Sequence, residues 1–265
     1  MCYDISFSST IELITEYLPG IIVDPQVRID YETSVHVMAH AYGRYPVITL
    51  EDGIYHLRPF EWGLIADYMN TPEKIKKGRA FMCNAQSEKI TEDKRSVWYR
   101  LRKKRCLIPV TGILEHRHIN GGALKIPYHV KLKNRDLFCI PGLYNYSPIP
   151  NVETGEVIGT YTLITRAANA LMAQIHNGGD NKFRMPLFLP KELEMKWLEP
   201  DLTDETMKEI LDFKMPPAEL EYHTTFSIRG RKERTDGKGK IEPYEWENLP
   251  PLSSGDLPKT PTLFG

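Results

Sequence analysis

The stretch Thr160-Tyr161-Thr162-Leu163-Ile164-Thr165 decides the fold. Its residues are β-branched, aromatic or aliphatic, the types that fit a pleated and buried surface, so it reads as a strand. It feeds Ala167 to Ile175, an alanine-rich segment with good helix propensity, and His176 stands at the C-terminal end of that helix. The helix dipole at that end predicts a raised imidazole pKa and a protonated ring.

Working outward, Tyr128–Leu132 and Leu137–Leu143 read as a hairpin or as adjacent strands, after a turn at Gly121-Gly122. Cys106 to Glu115 reads as one apolar strand with Glu115 at its end. Arg58 to Ile65 reads as a buried strand in which Trp62 is core, and Tyr31 to Leu50 alternates loosely as strands do. Helices are predicted over Ile11–Tyr17, which stops at Pro19-Gly20, and over Thr91–Arg105, where Val97, Trp98 and Leu101 keep helical spacing. Met185–Leu189 is a further short strand, and Glu192–Leu198 and Asp204–Asp212 are surface helices. This order predicts the α+β class: a single domain with a mixed or antiparallel β-sheet or barrel-like core and peripheral helices. The boundaries are 2–240 for the domain and 241–265 for a tail rich in proline (Pro243, Pro250, Pro251, Pro258, Pro261), expected to be extended or disordered.

A chain of 265 residues, 41% hydrophobic and 26% charged, has the composition of a soluble globular protein. No apolar run approaches the roughly 18 residues that span a bilayer, and no secretory signal is visible, so the expected location is cytoplasmic. Cys2, Cys83, Cys106 and Cys139 lie far apart without a CxxC pair. That argues against a zinc site and a disulfide framework, and neither metal nor cofactor is expected. Net charge is −1, yet Lys74 to Arg105 holds twelve basic against three acidic residues, and a second basic run spans Arg229, Arg231, Lys232 and Arg234. Two such runs beside candidate catalytic segments point to a phosphate-binding face.

The candidate chemistry begins at Cys2. With Met1 removed, an N-terminal cysteine carries an α-amine and a thiol on adjacent carbons. The amine, with a pKa of about 7.7–8.0 against about 10.4 for lysine, is substantially unprotonated at neutral pH. It can condense with an aldehyde, and the thiol can then close a five-membered ring on the same carbon. Three later segments read with it: Asn84-Ala85-Gln86-Ser87-Glu88, Arg105-Cys106-Leu107-Ile108-Pro109 running on to Glu115, and Gln174-Ile175-His176 followed by Arg184-Met185-Pro186. His116 and His118 share the turn of Glu115, and either can share its role.

This set, together with Trp62-Gly63-Leu64-Ile65, resembles the SRAP family (SOS-response-associated peptidase) from Cys2 to about Arg231. The resemblance implies recognition of abasic sites in single-stranded DNA and a thiazolidine cross-link through the N-terminal cysteine, shielding the lesion at the nucleoid or replication fork. By position it makes Cys2 the nucleophile and has Asn84 orient it or the ring-opened sugar. Glu115 becomes an acid/base, and His176 promotes sugar ring opening and proton transfer. The activity would be lyase-like, with removal of residues ahead of the cysteine as the peptidase step. Trp62 and Tyr68 become candidates for base stacking; Gln86, Arg184, His223, Arg229 and Arg231 become DNA contacts. The sequence departs from the family pattern at Gln86, where an arginine is usual, and at Tyr3-Asp4, where Gly-Arg is usual. It also departs in the longer segment between His176 and Arg184. An alternative reading is an N-terminal-nucleophile amidohydrolase or thiol peptidase using Cys2. Thr260-Pro261-Thr262-Leu263-Phe264-Gly265 distantly resembles the Leu-Phe endings that dock on a sliding clamp, which makes Leu263 and Phe264 a candidate contact.

Overall fold

Both edges of the Thr160–Thr165 strand are occupied, each by two partners, so this strand is the hub of the larger sheet. The structure, a computed structural model, describes residues 2–30, 34–230 and 234–253. Its first elements are β1 (Asp4–Phe7), α1 (Ile11–Tyr17), β2 (Ile22–Val23), α2 (Pro25–Asp30) and β3 (Ser34–Met38). β4 (Arg44–Glu51) and β5 (Ile54–Trp62) follow, then α3 (Pro72–Gly78), β6 (Asn84–Gln86), α4 (Glu88–Thr91) and α5 (Val97–Leu101). β7 (Arg105–Val110), β8 (Gly112–Ile119), β9 (Leu124–Leu132) and β10 (Phe138–Tyr146) come next. The rest is β11 (Gly159–Ala167), α6 (Ala170–Ile175), β12 (Arg184–Pro186), α7 (Lys191–Trp197), α8 (Asp204–Leu211) and β13 (Leu220–Thr224).

The strands form two sheets, in agreement with the α+β class. One runs β13-β9-β8-β1-β3 and the other β12-β11-β10-β7-β4-β5-β2. In the second, β5 returns to β11 in parallel register, Trp62 beside Tyr161, and curls the sheet into a barrel-like core. β6 continues the same edge of β11 and sets Asn84 beside Leu163. The β4–β5 hairpin turns at Asp52-Gly53, both with positive φ (49° and 78°), the pair of conformations a two-residue turn of matching twist requires.

The structure differs from the sequence expectation at two joints. Cys106 to Glu115 is not one strand: β7 belongs to the curled sheet and β8 to the other, and the chain changes sheets at Thr111. Thr111 holds that corner by donating its backbone N–H to Ser6 O at 2.8 Å and accepting from Ser8 N at 3.1 Å. Glu115 therefore lies inside β8, opposite Tyr128, rather than at a strand end. β9 and β10 follow each other in sequence but do not pair, because each continues a different sheet. The helix predicted over Thr91–Arg105 is confined to Val97–Leu101, with Trp98 and Leu101 buried as the spacing requires.

The basic run from Lys74 to Arg105 is partly internal. Arg105 is buried and donates to Trp197 O at 2.7 Å, while Arg79 pairs with Glu61 and Arg102 with Asp204. Residues 241–253 run extended along the domain. Tyr244 N donates to Thr224 O at 2.9 Å, Arg117 to Pro250 O at 2.5 Å and Ser253 N to Gln174 Oε1 at 2.7 Å. Leu263 and Phe264 lie outside the described residues, as do Met1 and Arg231. Among the described residues no helix is long and apolar enough to cross a membrane.

Candidate active site

β1 pairs antiparallel with β8, Ile5 opposite Ile113, and this register carries the start of the chain toward Glu115. Cys2 is fully buried and its thiol donates to Asp4 O at 3.4 Å. Tyr3 O accepts from Ala39 N at 2.9 Å and the Tyr3 ring lies 4.7 Å from that of His40, so the end of the chain is seated rather than frayed. Burial, reinforced by the neighbouring Glu115 carboxyl, pushes the Cys2 thiol well up, which keeps it protonated. Cys83, Cys106 and Cys139 are free and buried as well.

Glu115 and His176 meet on the other side of Cys2. Glu115 Oε2 lies 4.0 Å from His176 Nε2, and the Glu115 carboxyl interacts directly with the Cys2 thiol. Burial raises the carboxyl to about 8. His176 moves the other way, to about 4, mainly because burial disfavours the imidazolium. The expected protonated ring is thus overturned: the dipole of a six-residue helix is outweighed by desolvation. His176 Nδ1 lies 2.7 Å from Arg184 O, a carbonyl that can only accept, so Nδ1 carries the proton. Nε2 then presents its lone pair toward a protonated Glu115. The pair is a neutral carboxylic acid facing a neutral imidazole across 4.0 Å.

A cavity of about 500 Å³ opens over Glu115 and His176, lined also by Tyr3, His116, His118, Lys125 and Arg229 among others, while Cys2 is buried and not part of its lining. The long connection after His176 forms one wall. It is tied to β8 by His118 N donating to Asn177 Oδ1 at 2.7 Å and Asn177 Nδ2 donating to His118 O at 2.9 Å. A Cβ at Gly178 would sit 2.1 Å from His118 Nδ1, so only glycine allows this approach. Asn84 comes from the other sheet; it is buried, and neither of its side-chain polar atoms has a hydrogen-bond partner among the described residues. Asn84 is not among the residues that line the cavity.

The expected DNA contacts separate. Trp62 is fully buried, stacks on Tyr161 at 5.9 Å and donates to Cys83 O, so no base can reach it and it is core. Tyr68 is half exposed, away from the cavity. Gln86 is half-buried in β6, beside Thr165. The Arg184 guanidinium grips Glu88 at 2.7 and 3.0 Å, and its contribution to the site is the carbonyl that fixes His176. His223 lies against His129, ring centroids 5.2 Å apart, and donates to Ile241 O, outside the cavity lining. Arg229 does line the cavity. Among the described residues no group of three or more His, Cys, Asp or Glu can hold a metal ion.

These ionisation states set a pH dependence for folding. His116, half-buried, and His129 and His176, buried, are held down at about 4, 3 and 4 from an ordinary 6.5, so acid protonates the unfolded chain first. Stability therefore rises with pH from about 5 to 6.5. Glu115, raised from 4.5 to about 8, holds its proton only when folded and works in the opposite sense across 4.5 to 8. The three histidines outweigh Glu115 below pH 6.5; above it Glu115 lowers stability, with buried Glu194 in the same sense and the raised thiols of Cys2, Cys83, Cys106 and Cys139 joining as pH nears 9. Urea midpoints measured from pH 5 to 9 are expected to peak near pH 6.5–7; a midpoint that climbs steadily through pH 8 contradicts these states.

Fold and site together define a class of protein: a two-sheet α+β domain whose own first residues floor a cavity beside a carboxyl–imidazole pair. The model of the SRAP family, SOS response associated peptidase, matches residues 1–227, and the chain belongs to this family. It is similar to two abasic site processing proteins of Bacillus subtilis: YoqW, 36% identical over 148 residues, and YobE, 35% identical over 148 residues. Those matches cover 56% of this chain and 59% and 61% of the relatives, less than two thirds of their length. A protein of known crystal structure from Bacteroides thetaiotaomicron is 31% identical, with a TM-score of 0.74 over 91% of this chain and 97% of that one. A second, from Bordetella bronchiseptica, shares the fold at 19% identity, with a TM-score of 0.67 over 84% of this chain and 99% of its own.

Proposed function

We propose that this chain processes abasic sites in single-stranded DNA, as a participant in the DNA damage response, by forming a thiazolidine cross-link through Cys2 once Met1 is removed. The observation that carries this reading is the seating of Cys2 against a protonated Glu115 and an unprotonated His176 nitrogen. The names of the curated relatives supply the substrate class.

The steps follow from the protonation states. Glu115 passes its proton through His176 Nε2 to the ring oxygen of the deoxyribose, and the carboxylate left behind takes the proton of the C1′ hydroxyl. The sugar opens to an aldehyde and the pair is restored. The Cys2 amine adds to C1′, Glu115 protonates the departing hydroxyl, which leaves as water, and the resulting iminium returns its N–H proton to the Glu115 carboxylate to give an imine. The Cys2 thiol adds to the imine carbon and its proton goes to the nitrogen. The net change is one C–N and one C–S bond formed and one water lost. A thiol held protonated is a poor thiolate nucleophile, which favours this amine-first order over the amidohydrolase or thiol peptidase reading.

Incubation of the purified chain with an abasic single-stranded oligonucleotide is expected to give a heat-stable adduct on a denaturing gel, lighter by one water than the sum of its parts. No adduct from a chain shown by mass to begin at Cys2 sinks the proposal. Release of ammonia or a peptide from amide substrates by the same preparation supports the hydrolase instead.

A further inference from the structure

Asp4 lines the cavity, and by charge alone an acid there weakens a DNA site. Its surroundings reverse that reading. The Asp4 side chain is only 4% exposed. Oδ1 accepts from His36 Nε2 at 2.7 Å and from Arg229 Nε at 3.2 Å, and Oδ2 accepts from Arg229 Nη2. The three residues come from β1, β3 and the segment after β13, which meet only in the folded chain. Arg229 itself is not buried: its side chain is 50% exposed and lines the cavity with Tyr3, Glu115 and His176.

A guanidinium has five N–H donors in a rigid plane. Holding Nε and Nη2 by a buried carboxylate fixes that plane and leaves the Nη1 hydrogens without an acceptor among the described residues. We propose that Asp4 is a positioning residue that aims Arg229 into the cavity over Glu115 and His176, where the free edge of the guanidinium binds a phosphodiester of the DNA strand. This rests on the reading of the cavity as a DNA site.

The test separates this idea from the cross-linking chemistry by using undamaged single-stranded DNA and a Cys2→Ala background, in which no adduct forms. Binding is followed by fluorescence anisotropy as salt is raised. Arg229→Gln is expected to weaken binding several-fold and to reduce the slope of log affinity against log salt by about 0.7, the value of one single-strand phosphate contact. Asp4→Asn is expected to do the same, and the double variant to add little. The sign is decisive, because loss of an acid near DNA should by simple electrostatics tighten binding. Tighter or unchanged binding by Asp4→Asn, or an unchanged slope for Arg229→Gln, overturns the proposal, as does a chain that binds no undamaged strand. Should Asp4→Asn fail to fold by circular dichroism, Arg229→Lys takes its place. That variant keeps the charge without the fork and is expected to keep the slope while losing several-fold in affinity; a Lys variant equal to wild type overturns the aiming role. Adduct formation by the unmutated chain on abasic DNA reports on the proposed function separately.

Discussion

A form of the protein with one residue retained ahead of Cys2 is expected to give no heat-stable adduct with abasic DNA, although its thiol is intact. The retained residue turns the Cys2 nitrogen into an amide, which cannot attack an aldehyde, so the first covalent step is lost. The fall should exceed about 10³-fold, since the thiol is then left to react without the effective molarity that a neighbouring C–N bond provides. A convenient design places a protease site before Cys2. The fusion is inactive, and cleavage to leave Cys2 first restores the adduct within the same sample.

Side-chain variants at the same position resolve the order of events. Cys2→Ala keeps the amine and so should still form an imine, detectable only after borohydride trapping. It cannot close the ring, and no adduct should survive heat. If the extended form cross-links as well as the mature one, the amine is not the first nucleophile. If Cys2→Ala gives a heat-stable adduct, ring closure is not what makes the product stable.

Glu115 and His176, which the fold brings to within 4.0 Å of each other, come from two of the ordered short motifs, and the hub strand was legible from its β-branched composition. What sequence did not disclose was the non-local part. The joint at Thr111 is marked only by the lone Gly112 between the apolar runs 106–110 and 113–114, and the pairing of Ser6 with the corner is what shows that the chain changes sheets. The charge of His176 was misjudged because the local cue, a helix end, is visible in sequence while the burial that overrides it is not. Asp4 looked like a lost cation for the same reason: its partners are at positions 36 and 229. The stacking role considered for Trp62 fails because β5 closes onto β11 and encloses the indole. The Asp52-Gly53 hairpin, by contrast, was available to sequence reading as a two-residue turn between apolar runs.

Glu115→Gln is expected to move activity and stability in opposite directions. Glutamine keeps the size of the side chain and can occupy the same space beside His176 Nε2, but it carries no transferable proton. Sugar opening and loss of the hydroxyl both slow, and the adduct rate should fall by about 10²-fold or more. Folding should respond differently. The native Glu115 carboxyl holds a proton up to about 8 that the unfolded chain releases near 4.5, so each pH unit within that window removes about 1.4 kcal/mol from the wild type. The variant has no such term. The variant's urea midpoint should therefore lose the alkaline fall above about pH 7.5, where few histidines of the unfolded chain remain protonated, and its difference from the wild type should shift in the variant's favour toward pH 8. Adduct rates and urea midpoints measured on the same two proteins at pH 6, 7 and 8 give both answers. A variant that is slow but shows the same alkaline loss of stability as the wild type would mean that Glu115 is ionised in the native state. A Glu115 carboxylate would in turn remove the proton on which the opening step depends.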